Sequence, residues 1–403
     1  MSKYGKVSEM ESNSAEENEV ATAMILKYGK WLLHLTILGL LIAVTVQVYK
    51  IPSNQTQLLD NTQQIQSVES NIIHLLTGTE LAAYIPPVIY SKYFDGTVNN
   101  GNMKLHYIES GDPTAPLMIL VHSYFWNLHD WDFMLPTLTQ NYHVIAYDLR
   151  GYGLSDAPDS EIESSLRSIT VDNSVRDLRE LINYLYTVNP TANMQPICVG
   201  HSLGATICQE YAIQYTNNSD SLSLSKLILI SGSPQFQASP SFNSMSIIND
   251  TNWPYGVPDT TFAYLSSIIQ SNFSTFVGLL AQTVLSDVCS NDNLFDNNIG
   301  AILANIANPT TTPLIQYDYF NLLRHASTTN SLGTITVPVL IIGGTNDQLV
   351  PPKAHSFMSL KIHDSDFHQI EGGGHLLPSS HPRYVLQLIS KFLNAPVCSQ
   401  FVY

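Results

Sequence analysis

The sequence predicts an α/β fold in which a mostly parallel, doubly wound sheet carries a helical cap and is preceded by one transmembrane helix. Three observations predict it: an uncharged apolar run from Trp31 to Tyr49, short apolar runs alternating with amphipathic stretches from about residue 86, and a polar, mainly helical interruption over 235–325.

Residues 1–30 are a polar N-terminal tail, acidic and without periodicity at its start. The run WLLHLTILGLLIAVTVQVY over 31–49 is long enough, at about 1.5 Å per residue, to cross a hydrocarbon core of roughly 30 Å. No small-residue cleavage site follows it, which favours an anchor over a removable signal. Lys27 and Lys30 precede the span and Lys50 follows it, so the lysine count favours a cytoplasmic N-terminus and a lumenal or extracellular remainder, while a cytosolic-facing arrangement stays open. Sequons at Asn54, Asn217, Asn249 and Asn272 all lie beyond the span, although a chain this rich in Asn, Ser and Thr acquires several by chance. Residues 50–85 read as a stem with Leu58, Ile65 and Ile72 at heptad spacing, too few heptads for a coiled coil.

Residues 86–403 read as the catalytic domain, with the cap inserted at 235–325. VIYSKYF and MKLHYIE flank Asn99-Asn100-Gly101-Asn102 as an opening hairpin. LMILVHS, HVIAYDL, PICVG, KLILISG and PVLIIGG have the form of buried parallel strands, and DFHQIE reads as the last strand. In LGATICQEYAIQY the positions Ala205, Cys208, Ala212 and Tyr215 recur every three or four residues and predict one sheet-facing stripe.

Composition narrows the function. The 403 residues are 44% hydrophobic and 12% charged, with a net charge of −16. Five lysines balance five glutamates in residues 1–50, so the whole deficit falls on residues 51–403, which repel phosphate backbones; nucleic acid is excluded as a partner. No CxxC or HExxH spacing points to a metal, and nothing calls for a cofactor. Cys198 and Cys208 are expected to pack as small apolar residues, which leaves Cys289 and Cys398 as the pair that could join.

Gly200-His201-Ser202-Leu203-Gly204 fits G-x-S-x-G, in which a serine sits on a strained turn between strand and helix and a side chain at either glycine would collide. PICV before it and LGATICQEY after it supply that context. Serine needs a base, and the base an orienting acid, in the chain order Ser, Asp or Glu, His. Asp347 follows PVLIIGG and His375 follows DFHQIE, both where loops leave the carboxyl ends of strands. KLILISG is followed by Ser231, Gly232, Ser233 and Pro234, with no acid. The plainer readings are that Asp347 caps the helix near Pro351 and that His363, His368 or His381 is the base. His201 is expected to pack within the elbow, and Trp126, His129 and Trp131 either line an entrance or pack elsewhere.

With these motifs, residues from about 88 to 394 resemble the α/β-hydrolase superfamily, in the branch of esterases, lipases, haloperoxidase-like perhydrolases and epoxide hydrolases. Asp148-Leu149-Arg150-Gly151-Tyr152-Gly153-Leu154-Ser155 matches the D-x-R-G-x-G-x-S turn of that branch, where the acid and arginine brace a loop. The resemblance implies a serine hydrolase acting on carboxylic esters, with a small-molecule or lipid substrate, through Ser202, His375 and Asp347. Epoxide hydrolases and haloalkane dehalogenases carry an aspartate nucleophile, so Ser202 argues against those reactions. Perhydrolysis and thioester or carbon–carbon hydrolysis use the same triad, and a pocket receptor with little turnover is the rival from another class. Relatives show His-Gly at the oxyanion loop where this chain has His122-Ser123-Tyr124; by position the N–H groups of Tyr124 and Leu203 are the donors. The Ser123 hydroxyl is expected to tie that turn with a local hydrogen bond. Oligomeric state is not encoded in any motif.

Overall fold

The structure is a computed structural model that describes residues 88–96, 101–158, 166, 168–189, 193–215, 222–238, 255–286 and 311–393. The tail, the apolar run 31–49, the stem, Asn54, Asn99, Asn100, Asn217, Asn249, Cys289 and Cys398 lie outside the described residues. Among the described residues no helix is long and apolar enough to cross a membrane.

Eight strands form one sheet: β1 (Tyr90–Asp95), β2 (Lys104–Ser110), β3 (Pro116–Val121), β4 (His143–Tyr147), β5 (Asn193–His201), β6 (Lys226–Ile230), β7 (Val339–Gly344) and β8 (Ser365–Ile370), in spatial order 1-2-4-3-5-6-7-8. β1 and β2 are the expected hairpin, β2 pairs antiparallel with β4, and every later pairing is parallel. Apolarity follows position. β4 is buried at every residue, while the edge strands are more polar, YSKYFD exposed at all but Phe94 and SDFHQI partly exposed at all but Ile370, which helps an edge resist further pairing.

Both faces of the sheet are covered, because successive residues of a strand point opposite ways. In β3, Leu117, Ile119 and Val121 join one core and Met118 and Leu120 the other. The helices are α1 (Leu135–Leu138), α2 (Val171–Val188), α3 (Leu203–Gln214), α4 (Asp259–Ser271), α5 (Phe273–Ser286), α6 (Pro313–His325), α7 (Pro352–Lys361), α8 (Leu377–Ser380) and α9 (Pro382–Leu393). The second core takes Val385, Leu386 and Ile389 of α9 with Leu135 and Leu138 of α1. The first takes α2, α3 and α7 together with Phe262, Phe276, Ile315 and Tyr319 from α4 to α6, the helices between β6 and β7.

Two expectations are corrected. α3 is buried well beyond that stripe, from Leu203 through Gln209 and again at Tyr211 and Ala212, because it packs on α2 as well as on the sheet, which leaves exposed polar positions only towards its last turn, at Glu210 in part and at Gln214. Cys198 and Cys208 are buried as expected but are joined in a disulfide, with Cα atoms 6.3 Å apart. The chain doubles back between β5 and α3, which brings together two residues the spacing alone does not relate.

Candidate active site

β3 pairs with β4 on one side and β5 on the other, so the sheet reverses its order there and the loops after β3 and β5 diverge to opposite faces. Open α/β sheets place ligands at such a crevice, beside the carboxyl ends of the strands. The loop after β3 carries Ser123 and Tyr124, the turn after β5 carries Ser202, and the loops after β7 and β8 carry Asp347 and His375.

Ser202 has φ 53° and ψ −110°, a backbone region that residues with side chains seldom occupy. Close approach explains the flanking glycines. A Cβ on Gly200 would meet the Gly204 carbonyl, and a Cβ on Gly204 would meet the Val121 carbonyl of β3. The Ser202 N–H donates to Ile230 O at 2.9 Å, so the turn is also pinned to β6.

His375 is the histidine brought to this serine: the Ser202 hydroxyl lies 2.9 Å from His375 Nε2, placed to donate to it. On the other side of the ring, His375 Nδ1–H donates to Asp347, 2.9 Å from Oδ2 and 3.1 Å from Oδ1. Asp347 Oδ1 also accepts from the N–H groups of Leu349 (2.9 Å) and Val350 (2.8 Å), so the carboxylate orders its own loop, while Pro351 is the residue that precedes α7. Burial opposes the charge on Asp347, yet His375 and the Val350 N–H together hold its carboxyl below its ordinary value. The competing histidines stand elsewhere: His368 faces Asp366 at 3.0 Å, His363 is exposed, and His381 contacts Ser380.

The loop after β3 differs from expectation. Ser123 does not adopt positive φ; Phe125 does, at 72°. The Ser123 hydroxyl reaches Tyr124 O only at 3.4 Å, too long to fix a turn by itself. The backbone is held instead by Ser123 N–H donating to Asp130 Oδ2 (3.0 Å), by Trp126 N–H donating to Ser123 O (3.3 Å), and by His122 Nδ1–H donating to the same oxygen (2.8 Å). Leu149 N–H donates to His122 Nε2 at 3.0 Å, so His122 is neutral with its proton on Nδ1, in keeping with burial driving its pKa down. Among the described residues, no hydrogen bond uses the N–H of Tyr124 or of Leu203, the first residue of α3.

From the other direction the loop meets α6. Tyr124 O–H donates to Gln316 O (3.1 Å), Tyr152 O–H donates to Gln316 Oε1 (3.1 Å), and Phe125 N–H donates to the Tyr152 oxygen (3.3 Å). The rings of Phe125, Phe273, Phe276 and Phe320 pack around this junction. Trp131 and Trp126 are buried, and Trp131 belongs to the core on the α9 face.

Asp148 and Arg150 do brace their loop. Asp148 accepts from His106 Nδ1–H (2.7 Å), Leu128 N–H (2.9 Å) and Leu154 N–H (3.0 Å); Arg150 is bidentate to Asp177 at 2.7 Å twice, and donates to carbonyls of Leu166, Ser168 and Asn173. Sequence reasoning missed Asp130, Tyr152 and Gln316. Asp130 left a trace as an acid within the apolar-flanked run Leu128-His129-Asp130-Trp131, and Tyr152 stands at a variable position of the D-x-R-G-x-G-x-S turn, while Gln316 left none.

Comparisons agree with this architecture. A family model described as alpha/beta hydrolase fold matches residues 116–382. Epoxide hydrolase 3 of Mus musculus is 24% identical over 318 residues, covering 74% of this chain and 76% of its own. Solved structures of a bromoperoxidase from Bacillus anthracis (TM-score 0.61, 20% identity, 76% of this chain and 100% of that one) and of an esterase from Exiguobacterium antarcticum (TM-score 0.62, 18% identity, 76% and 100%) share the fold.

Proposed function

The chain belongs to the alpha/beta hydrolase fold family, and from that premise we propose that it is a serine hydrolase of carboxylic esters. The observation that carries this reading is the unbroken run of contacts from Asp347 through both nitrogens of His375 to the strained Ser202.

In this mechanism Ser202 Oγ attacks the ester carbonyl carbon while His375 Nε2 takes the hydroxyl proton. Asp347 keeps the other ring proton on Nδ1 and stabilises the imidazolium that forms. Negative charge on the former carbonyl oxygen falls to the N–H groups of Tyr124 and Leu203. The tetrahedral adduct collapses as His375 returns the proton to the departing alkoxide. Water, deprotonated by His375, then attacks the acyl-enzyme, and Ser202 leaves with that proton. No step uses a metal or cofactor. Aromatic rings around Tyr124 support an ester with an apolar acyl group, and an anchor over 31–49 would present it to membrane lipids.

Epoxide opening is disfavoured despite the relative of that name. Attack by a serine oxygen on an epoxide carbon leaves an ether, which has no carbonyl for water to attack, whereas a carboxylate nucleophile leaves an ester that turns over. Labelling the intact chain with a fluorophosphonate and then assaying a panel of esters tests the proposal. Covalent modification of Ser202 with turnover of one or more esters is expected; an unlabelled chain would favour the receptor reading.

A further inference from the structure

His201 lies next to the nucleophile, fully buried, with both ring nitrogens engaged. Nδ1 is 2.7 Å from Asp130 Oδ2, and Nε2 is 2.9 Å from the carbonyl oxygen of His375. A carboxylate and a backbone carbonyl can only accept hydrogen bonds, so both nitrogens must carry protons. The oxygen of Asp130 that receives His201 also receives the Ser123 N–H at 3.0 Å. One ion pair therefore touches three segments: the loop leading to Tyr124, the elbow, and the loop of His375.

From this geometry we infer that Asp130 and His201 are positioning residues, a buried charged pair that holds the Tyr124 N–H, Ser202 and the His375 ring in one frame. The inference rests on the serine-hydrolase reading above. A buried ion pair is a poor way to gain stability, because desolvating two charges offsets most of their attraction, so a directional role accounts for it better than a packing role. The groups facing His201 agree with its charge. Burial opposes it, but Asp130 in contact and Asp347 farther off raise the His201 pKa, and among the neighbouring histidines His122 is neutral by its own hydrogen bonds and His375 presents its carbonyl. Trp131 closes the site with its ring edge-on to His201, centroids 6.5 Å apart.

The test uses the full chain in detergent with ¹⁵N-labelled histidine, the His201 signals being assigned by their loss in His201→Gln. At about pH 8, where an ordinary imidazole is neutral, both His201 nitrogens are expected to remain protonated; a one-proton ring in a chain that takes fluorophosphonate overturns the pair. Kinetics supply the second measurement. Asn at position 130 presents at that point either an oxygen, which accepts from both donors but lacks the charge that keeps the second proton on His201 and so loses the Nε2–H that meets the His375 carbonyl, or an NH₂, which accepts from neither. Per fluorophosphonate-titrated site, Asp130→Asn is expected to lower kcat by about 10²-fold, the scale of a displaced oxyanion donor, with KM changed far less. Counting only titrated sites removes misfolded molecules from the rate, so kcat per site within about threefold of the parent's would overturn the positioning role. A parent chain that takes no fluorophosphonate would instead overturn the hydrolase reading, and with it this role, whatever the protonation of His201.

Discussion

His375 Nε2 lies 2.9 Å from Ser202 Oγ, although 173 positions separate the two residues in the chain. The contact exists because β5 and β8 run parallel in one sheet and end at the same edge, so that a turn after one and a loop after the other converge. Removing the oxygen alone should leave that scaffold intact. Ser202→Ala is expected to abolish fluorophosphonate labelling and to lower ester turnover by about 10⁴-fold or more, with an unchanged circular dichroism spectrum and melting temperature. Turnover near the parent's in this variant would remove Ser202 from the chemistry.

Asp347→Asn should be nearly as damaging, for a reason of tautomers. The Asn oxygen can replace Oδ1 in accepting from Leu349 and Val350, so the loop keeps its shape, but its NH₂ then faces His375 Nδ1 and forces that nitrogen to accept. The ring proton moves to Nε2, which can no longer take the Ser202 proton. A fall in kcat of about 10⁴-fold with little change in melting temperature is expected from initial rates and thermal scans.

The residues that meet at the sheet edge were legible because the motif order and the strand ends are local features: Gly200 and Gly204 around Ser202, PVLIIGG before Asp347, DFHQIE before His375. The strands were legible too: β3 to β7 as short apolar runs bounded by turn residues, β1 and β2 as segments flanking a turn, and the polar β8 from its place after the last such run. What stayed hidden depends on contacts between distant segments. Asp130 reads as a surface acid until the fold sets it against His201, and Gln316 reads as an ordinary helix residue until α6 lies over Tyr124 and Tyr152. The Cys198–Cys208 bond was hidden because a spacing of ten residues acquires meaning only when a strand doubles back into a helix. Where the positive φ of the loop after β3 falls was also not encoded in a motif, since Phe125, which carries it, is not a residue type that announces it.

Asp177 gives a stability prediction. Its carboxylate is bidentate to Arg150, which is 0% exposed and cannot shed its charge in this environment. Asp177→Ala leaves a buried guanidinium with carbonyl partners alone, a defect worth about 3–5 kcal/mol of unfolding free energy. Urea denaturation followed by tryptophan fluorescence measures it. A loss within the range of a typical surface change, about 0.5 kcal/mol, would mean that the carbonyls of Leu166, Ser168 and Asn173 satisfy the guanidinium without Asp177.

Acid should unfold the protein through its buried carboxyls. His106 and the Leu154 N–H hold Asp148 below its ordinary value against the cost of burial. A carboxyl depressed in the folded state stabilises fully above its unfolded pKa, here 3.8, and that contribution disappears as pH falls through the folded value. Asp148→Asn is therefore expected to be less stable at neutral pH and to lose less further stability on acidification than the parent. Parallel denaturation curves at neutral pH and in acid check this; equal losses in both proteins would assign the acid sensitivity to Asp130 and Asp347 instead.

The last prediction concerns Ser123, where this chain departs from the His-Gly pattern of its relatives. Glycine is needed at a loop position when φ is positive or when another group lies where Cβ would be. Ser123 is outside the positive-φ region, and the strain falls two residues later on Phe125, whose N–H is met by the Tyr152 oxygen. The Ser123 hydroxyl is 3.4 Å from its acceptor and so contributes little, while the Ser123 N–H and carbonyl are each bonded to buried partners, Asp130, His122 and Trp126. Ser123→Gly keeps all three backbone contacts and loses only the weak one, at the cost of a more flexible unfolded chain. Turnover is therefore expected to change by less than about tenfold, against the 10² to 10³ typical of a lost oxyanion donor, with a drop in stability of about 0.5–1 kcal/mol. Steady-state rates and denaturation of the same preparation separate the two effects. A steep fall in kcat would assign the hydroxyl itself a part in catalysis, and a large rise would show that serine here holds the Tyr124 N–H away from its best position.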